Sequence, residues 1–350
     1  MVAVSMTELR ENNAMNLKTI AKMAGVSTVT VSNVMNGKYN RASKETIERV
    51  LKIIEENDYR PSATARSLTM KRSRIIGVVV SHLSESDAFS VSPYDSQMLA
   101  YLERYVRGQG YYMMLRCVQR SDEVVPIFST WNVDGALLLG MFAEDALELQ
   151  KKLNIPAVFI DTYAEGVSIA NVGVDDYKGG YLAAKHLLDK GHRRIAFVAP
   201  SPESPGVVQE RYRGFCDALG EQGIEVRPEH CFEVETLYES GVEAGKQIAA
   251  SPIGFTAAAA MADVVALGVM EGLRLSGLRV PEDVSVTGFD NLPECRYSHP
   301  KLTSVSQRLE EKAQCAGEYL FSMLRDGAAI TGDKKVDVEL MERESVKALE

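Results

Sequence analysis

From residue 75 onward the chain repeats one motif, a short apolar run followed by a longer amphipathic stretch. The runs are IIGVVVS (75–81), YYMML (111–115), GALLLG (135–140), PAVFIDT (156–162), RIAFVAP (194–200), FTAAAAMA (255–262) and VSVTGFD (284–290). Between them lie segments of helical length and period, among them 178–190, 210–222, 263–276 and 309–325. A strand apolar at nearly every position buries both of its faces, which means a parallel sheet covered by helices on two sides. There are too many such runs for one modest sheet, so the pattern predicts two Rossmann-like lobes. Ligands in such folds sit at the carboxyl ends of the strands, here in a cleft between the lobes.

Upstream the pattern is different. In NLKTIAKMAGVSTVTVSNVMN (16–36), Leu17, Ile20, Ala21 and Ala24 have the i, i+3, i+4, i+7 spacing of one helical face. Gly25 follows, suited to the left-handed residue that ends a helix. Ser27 stands where its hydroxyl can cap a second helix, Thr28 to Met35. That helix buries Val31 and Val34 and shows Thr28, Val29, Thr30, Ser32, Asn33 and Asn36 on its other face, with no acid. Two helices joined by a tight turn, the second carrying short polar side chains, form a helix-turn-helix fitted to a DNA major groove. The alternative is an ordinary helical hairpin.

Ser43 can cap a third helix with an apolar stripe at Ile47, Val50, Leu51 and Ile54, ended before Pro61. Residues 61–73 then form a linker that includes Ala65, Leu68 and the basic Lys71 and Arg72. Its first part, 61–68, is long enough for one short helix of about two turns, too short to persist alone in water. Net charge is −9, but residues 16–74 hold 12 Lys and Arg against 5 Asp and Glu. A basic head on an acidic body is the charge pattern of a DNA-binding domain carried by a sensor.

No apolar run reaches the roughly 20 residues of a membrane span. The first fifteen residues lack a secretory apolar region and read as a loose tail, with Met15 able to serve as the start. The cysteines are five and scattered, without a CxxC pair, which points to a reduced cytoplasm and no zinc knuckle. No P-loop, GxGxxG, HExxH or GxSxG occurs, so no cofactor and no catalytic site is expected.

LKTIAKMAGVSTVTVSNVMNG and YRPSATARSL resemble the head of the LacI/GalR family of bacterial repressors. GGYLAAKHLLDKGHRRIAFV, ERYRGF, LRVPEDVSVTGFDN and HPKLTSV resemble its regulatory core, so the likeness covers about residues 16 to 345. The resemblance implies a small all-α helix-turn-helix head (16–60), a hinge (61–73) and a periplasmic-binding-protein-like α/β core (74–345). The N-lobe is expected at about 74–174 and 304–330, the C-lobe at about 175–303 and 331–345. It further implies a homodimer, or a tetramer of two dimers, on a near-palindromic operator. A small effector in the cleft would control DNA affinity, a sugar in the first reading and a purine or other non-sugar co-repressor in the alternative. A transporter's solute-binding protein or an enzyme on the same core fold would lack the basic head or need a nucleophile–base pair.

The residues carry over as follows. Thr28, Val29 and Asn33 match positions that read base edges, Asn33 having the amide that fits adenine. Asn16, Ser27, Thr30, Ser32 and Asn36 match phosphate-contacting or capping positions. Leu68 matches the hinge leucine that wedges into the minor groove, and Ala65 the neighbour that permits close approach. In the core, Ser81, Asp161, Arg211 and Asp290 match cleft positions, where an Arg with two carboxylates suits vicinal hydroxyls. The other use of such a set is an interlobe salt bridge. Ala262-Asp263 departs from sugar-binding members, which usually have Asn before that Asp, and His82 to Pro93 departs as well. His186 and His192 are read as surface or satisfied histidines, and the acids of 143–150 and 308–311 as solvated helix faces.

Overall fold

The structure, a computed structural model, describes residues 15–35, 37–59, 72–81, 92–163, 169–203, 206–327 and 330–349. It divides into two units, Met1–Ser73 and Arg74–Glu350.

The first unit contains α1 (Leu17–Ala24), α2 (Thr28–Met35) and α3 (Lys44–Glu56). Asn16 caps α1, its Oδ1 accepting from the Thr19 N–H at 3.0 Å, and Gly25 ends it at φ 64°. Ser27 Oγ accepts from the Thr30 N–H at 3.1 Å, and Ser43 Oγ from the Thr46 N–H at 3.3 Å. These caps pair helix-end donors that the helices themselves leave unmet. Ile20, Ala21, Ala24, Val31, Val34 and Val50 form the buried core, with Ile47, Ile53 and Ile54 packed around it. Leu51, expected on the apolar stripe of α3, is instead 40% exposed. The apolar residues at 50, 51, 53 and 54 span more than one face of a 3.6-residue helix, and Ile53 takes the place nearer the core.

The second unit begins with β1 (Ile75–Ser81), α4 (Pro93–Gly108), β2 (Tyr112–Val118), α5 (Val124–Trp131), β3 (Gly135–Leu139), α6 (Ala143–Lys152), β4 (Ala157–Ile160) and β5 (Ala170–Val174). It continues with α7 (Asp176–Asp189), β6 (Ile195–Ala199), α8 (Val207–Gly220), β7 (Cys231–Glu233), α9 (Tyr238–Ala250), β8 (Ala257–Ala260), α10 (Asp263–Leu275), β9 (Ser285–Asp290) and β10 (Thr303–Ser306). The chain closes with α11 (Leu309–Asp326), β11 (Gly332–Val336) and β12 (Glu339–Met341). One sheet has the order β11-β5-β4-β3-β1-β2 and is parallel throughout. The other has the order β12-β10-β9-β8-β6-β7, with only β12 antiparallel.

Sheet membership moves the expected lobe boundaries by a few residues. β10 lies in the second sheet, so the N-lobe resumes after Ser306 rather than at 304. β11 lies in the first sheet, so the C-lobe resumes after Val336 rather than at 331. GDKKV is exposed at four of its five positions, and an edge strand of that kind carries no apolar signal to mark it.

Two helix pairs meet backbone to backbone. A Cβ on Gly268 of α10 would stand 2.2 Å from the Tyr238 carbonyl oxygen of α9, and one on Gly241 would stand 2.4 Å from that of Val265. A Cβ on Gly180 of α7 would lie 1.9 Å from the Arg211 carbonyl oxygen of α8. That last contact sets the distance from α8 to the start of α7, where the buried charges of the cleft gather.

Candidate functional site

On the head, α2 turns Val31 and Val34 inward and holds Val29 66% exposed. Thr28, Thr30, Ser32 and Asn33 are part-exposed. Thr30 Oγ1 shares a hydrogen bond with Ser27 Oγ at 3.0 Å, which fixes the first turn of the helix. The Asn33 carbonyl accepts from the Lys38 N–H at 2.9 Å, fixing its end. Lys18, Lys22, Lys38, Arg41 and Lys44 are exposed. A helix with small polar groups and an apolar Val29, on a unit rich in lysine, can meet phosphates by charge and base edges by contact. Asn36, Ala65 and Leu68 lie outside the described residues.

In the core, three of the four expected cleft residues lie in buried polar networks, Asp161 and Asp290 in one and Arg211 in another, and the partners come from elsewhere. Asp161 follows β4 at φ 58°, and Asp290 ends β9 at φ 121°. Both are strained for non-glycine residues, and strain of this kind concentrates at functional sites. Lys312 Nζ, on α11 and fully buried, lies 2.5 Å from Asp161 Oδ1 and 2.7 Å from Oδ2. It also donates to Tyr94 Oη at 2.9 Å and to Gln307 Oε1 at 2.8 Å. Tyr94 donates its own proton to Asp161 Oδ2 at 2.5 Å. Gln307 Nε2 donates to Asp290 Oδ1 at 2.5 Å. A continuous polar chain therefore runs from Asp161 on one sheet, through Lys312 and Gln307, to Asp290 on the other.

Arg211 has a different partner from the one expected. Its Nε donates to Asp176 Oδ1 at 2.7 Å and its Nη1 to the Met261 carbonyl at 2.7 Å. Its guanidinium lies 3.7 Å over the Phe289 ring, a cation–π contact. Tyr163 Oη donates to Asp176 Oδ2 at 2.5 Å. Salt bridges do form in the cleft, but Asp161 pairs with Lys312 and Arg211 with Asp176. Ser81 ends β1 opposite Val118, and no hydrogen bond joins it to either network among the described residues.

Burial governs the ionisation here. It pushes Asp290 up to about 8, helped by the neighbouring Asp263 carboxylate and opposed by Arg211. Asp263 is pushed up to about 6 by burial, against hydrogen bonds from Cys295, Ser304 and the Leu292 N–H. Burial also raises Asp176 and, with Asp161 beside it, raises Tyr94 well above the usual phenol range. For Arg211 burial opposes the charge, yet Asp176 and Asp290 hold the guanidinium above its usual value.

The sequence pattern does not single out Asp176, Lys312, Tyr94, Tyr163 or Gln307. One signal is there to use: Lys312 falls in register with Leu309, Ala313, Ala316 and Leu320, the buried stripe of α11. Glu310 and Glu311 beside it are exposed, as expected of a solvated face. His192 is fully buried and satisfied, between Thr256 Oγ1 at 3.0 Å and the Lys347 carbonyl at 3.1 Å. A groove of about 820 Å³ reaches Asp290, lined by Gln97 and Tyr101 of α4, Asn291 and Pro293 after β9, and Arg308 and Gln314.

A family model of the lacI family of bacterial regulatory proteins matches residues 16–62, and one of periplasmic-binding-protein-like domains matches 184–346. The HTH-type transcriptional repressor PurR of Pasteurella multocida is 32% identical over 338 residues, 95% of this chain and 98% of that protein. Among solved structures, the lac repressor dimer bound to operator and the anti-inducer ONPF superposes with a TM-score of 0.83. It is 27% identical and is covered completely by 96% of this chain. The transcriptional regulator CelR in complex with cellobiose gives 0.70 at 27% identity, over 95% of this chain and 99% of that one. Among the described residues no helix is long and apolar enough to cross a membrane. Sequence likeness along nearly the whole chain and the same pairing of head and core agree: the chain belongs to the LacI/GalR family and is a ligand-responsive, DNA-binding transcriptional regulator.

Proposed function

We propose that the protein represses transcription as a homodimer on a near-palindromic operator, and that a small effector between the lobes sets its affinity for DNA. In this reading Thr28, Val29 and Asn33 read bases, while Asn16, Ser27, Thr30, Ser32 and Asn36 position the head on phosphates. Residues 61–73 join head to core, with Leu68 as the minor-groove wedge and Ala65 allowing its approach. The observation that carries the effector site is the polar chain from Asp161 through Lys312 and Gln307 to Asp290, which crosses between the sheets at strand carboxyl ends.

For the effector, a purine is the favoured reading. The PurR repressor of Pasteurella multocida is similar over almost its full length, and Ala262 stands where sugar-binding members carry an amide. A sugar is the second reading, supported by the likeness to CelR bound to cellobiose. Thermal-shift screening against purines and sugars separates them, since a ligand at 100 times its Kd adds about 2.7 kcal/mol of stability. A hit must also change operator affinity. Operator binding itself must fall by orders of magnitude between about 50 and 200 mM salt, because it displaces counterions from several phosphates. Salt-insensitive binding would remove the DNA reading.

A further inference from the structure

The two buried cations of the cleft, Lys312 and Arg211, already face carboxylates. Lys312 has three N–H groups, and they meet Asp161, Tyr94 and Gln307. Arg211 gives Nε to Asp176 and Nη1 to a carbonyl, with one face of its guanidinium on Phe289. Each cation lies against one carboxylate, and the side chains of Lys312 and Asp176 have no exposure to solvent. Water does not screen charge at such depth, so any charge an effector brings must be met by the protein. The groove that reaches Asp290 adds Glu310, Glu311 and Glu339 against Arg296 and Arg308, which further disfavours an anion. Burial and the neighbouring Asp263 carboxylate also raise the pKa of Asp290, which disfavours an uncompensated negative charge there.

We propose that Lys312 is a specificity-determining residue of the effector cleft. Its ammonium cancels Asp161 as Arg211 cancels Asp176, and the cleft so neutralised selects an uncharged, hydrogen-bonding effector over its phosphorylated counterpart. This rests on the cleft being the effector site, and it applies to a purine and a sugar alike. The acceptor oxygens of Asp161 and Asp290 then meet N–H or O–H donors of the ligand, and the Lys312 chain rearranges around it without leaving an unpaired charge. A lysine at a core position of α11 is costly to bury, and cancelling Asp161 is the property that the neutral apolar neighbours of the same stripe cannot supply.

The test uses the full-length protein and matched pairs of probes: hypoxanthine with inosine monophosphate, ribose with ribose 5-phosphate, and glucose with glucose 6-phosphate. Thermal shift finds the pair that binds, and calorimetry measures both members. The wild type is expected to prefer the uncharged member by about 100-fold or more, because burying an unpaired charge with the ligand is strongly disfavoured. Asp161→Asn leaves Lys312 without its counter-charge and should narrow that ratio at least tenfold. Adding Lys312→Met removes both charges and should restore the ratio, which also guards against a single variant that folds poorly. A merely structural lysine would not alter charge preference. A phosphorylated probe binding the wild type more tightly than its parent, a ratio unmoved by Asp161→Asn, or silence from every uncharged probe would each overturn the proposal. If instead an uncharged probe binds Asp290→Ala undiminished, the cleft is not the effector site and the proposal falls with that reading.

Discussion

Arg211 and Asp176 meet at 2.7 Å with 8% and 0% of their side chains exposed, bringing the middle of one helix against the start of another. The pair lies too deep for water to substitute for either member. Removing one partner leaves the other charged and unmatched, which typically costs about 3–5 kcal/mol, whereas replacing both with apolar groups is often neutral. Asp176→Ala should therefore lower the stability of the core by about that amount in urea melts. Asp176→Ala combined with Arg211→Met should recover much of it. A loss under about 1 kcal/mol in the single variant would mean the pair is readily replaced by water.

The same junction can be disturbed without touching a charge. A methyl on Gly180 would stand 1.9 Å from the Arg211 carbonyl oxygen, a contact that only moving α7 from α8 can relieve. Gly180→Ala should cost about 1–3 kcal/mol or more through overpacking. Gly220, at the end of α8, has nothing within 4 Å of where a methyl would stand, so Gly220→Ala should leave the melting temperature level or slightly higher. Equal effects at the two positions would contradict the close approach.

The parts of this fold that are legible in the sequence are those whose side chains obey one period. β1, β3, β6 and β8 are buried at nearly every position, and apolar runs announce them. β10 and β11 escape that pattern for opposite reasons: TSVS is buried but short and polar, while GDKKV is an exposed edge. Three of the cleft residues, Asp161, Arg211 and Asp290, are reached through family likeness at strand and helix ends. Their partners Asp176 and Lys312 look in sequence like ordinary helix charges. Asp176 follows another aspartate at a helix start, where acids are favoured anyway, and Lys312 sits among glutamates. What sets them apart is burial, which depends on which helices close over them and not on local pattern.

Stability should depend on pH through Asp290. Burial and Asp263 push its carboxyl up to about 8, while in the unfolded chain it returns to about 3.9. Between those values the folded protein holds a proton that the unfolded chain has lost, so stability is greatest at the acid end and falls as pH rises toward 8. Asp263, pushed up to about 6, acts in the same direction. Asp290→Asn removes the first contribution and relieves the second. Urea midpoints at pH 5, 7 and 8.5 should fall less steeply in the variant than in the wild type. Parallel curves would mean that Asp290 ionises normally.

On the head, α2 exposes an aliphatic side chain, Val29, at 66%, on the face opposite its buried Val31 and Val34. A valine held outward in a small, lysine-rich unit has no packing use there, and a thymine methyl would give it one. Asn33 lies one turn further along the same helix, its amide suited to the N6 and N7 of adenine. In the proposed reading both meet base edges and not phosphates, so their loss should be felt on the preferred operator and hardly at all on random DNA. Asn33→Ala is expected to cost about 1–3 kcal/mol on that operator, and Val29→Ala less, with the salt slope unchanged in both. Phosphate contacts behave differently: a lysine that makes one, with Lys18 and Lys22 the exposed candidates on α1, weakens every sequence alike when changed to Ala and flattens the salt slope by about one unit. Equal losses on operator and random DNA for Asn33→Ala would place that residue among the positioning contacts and leave base reading to Thr28 and Val29.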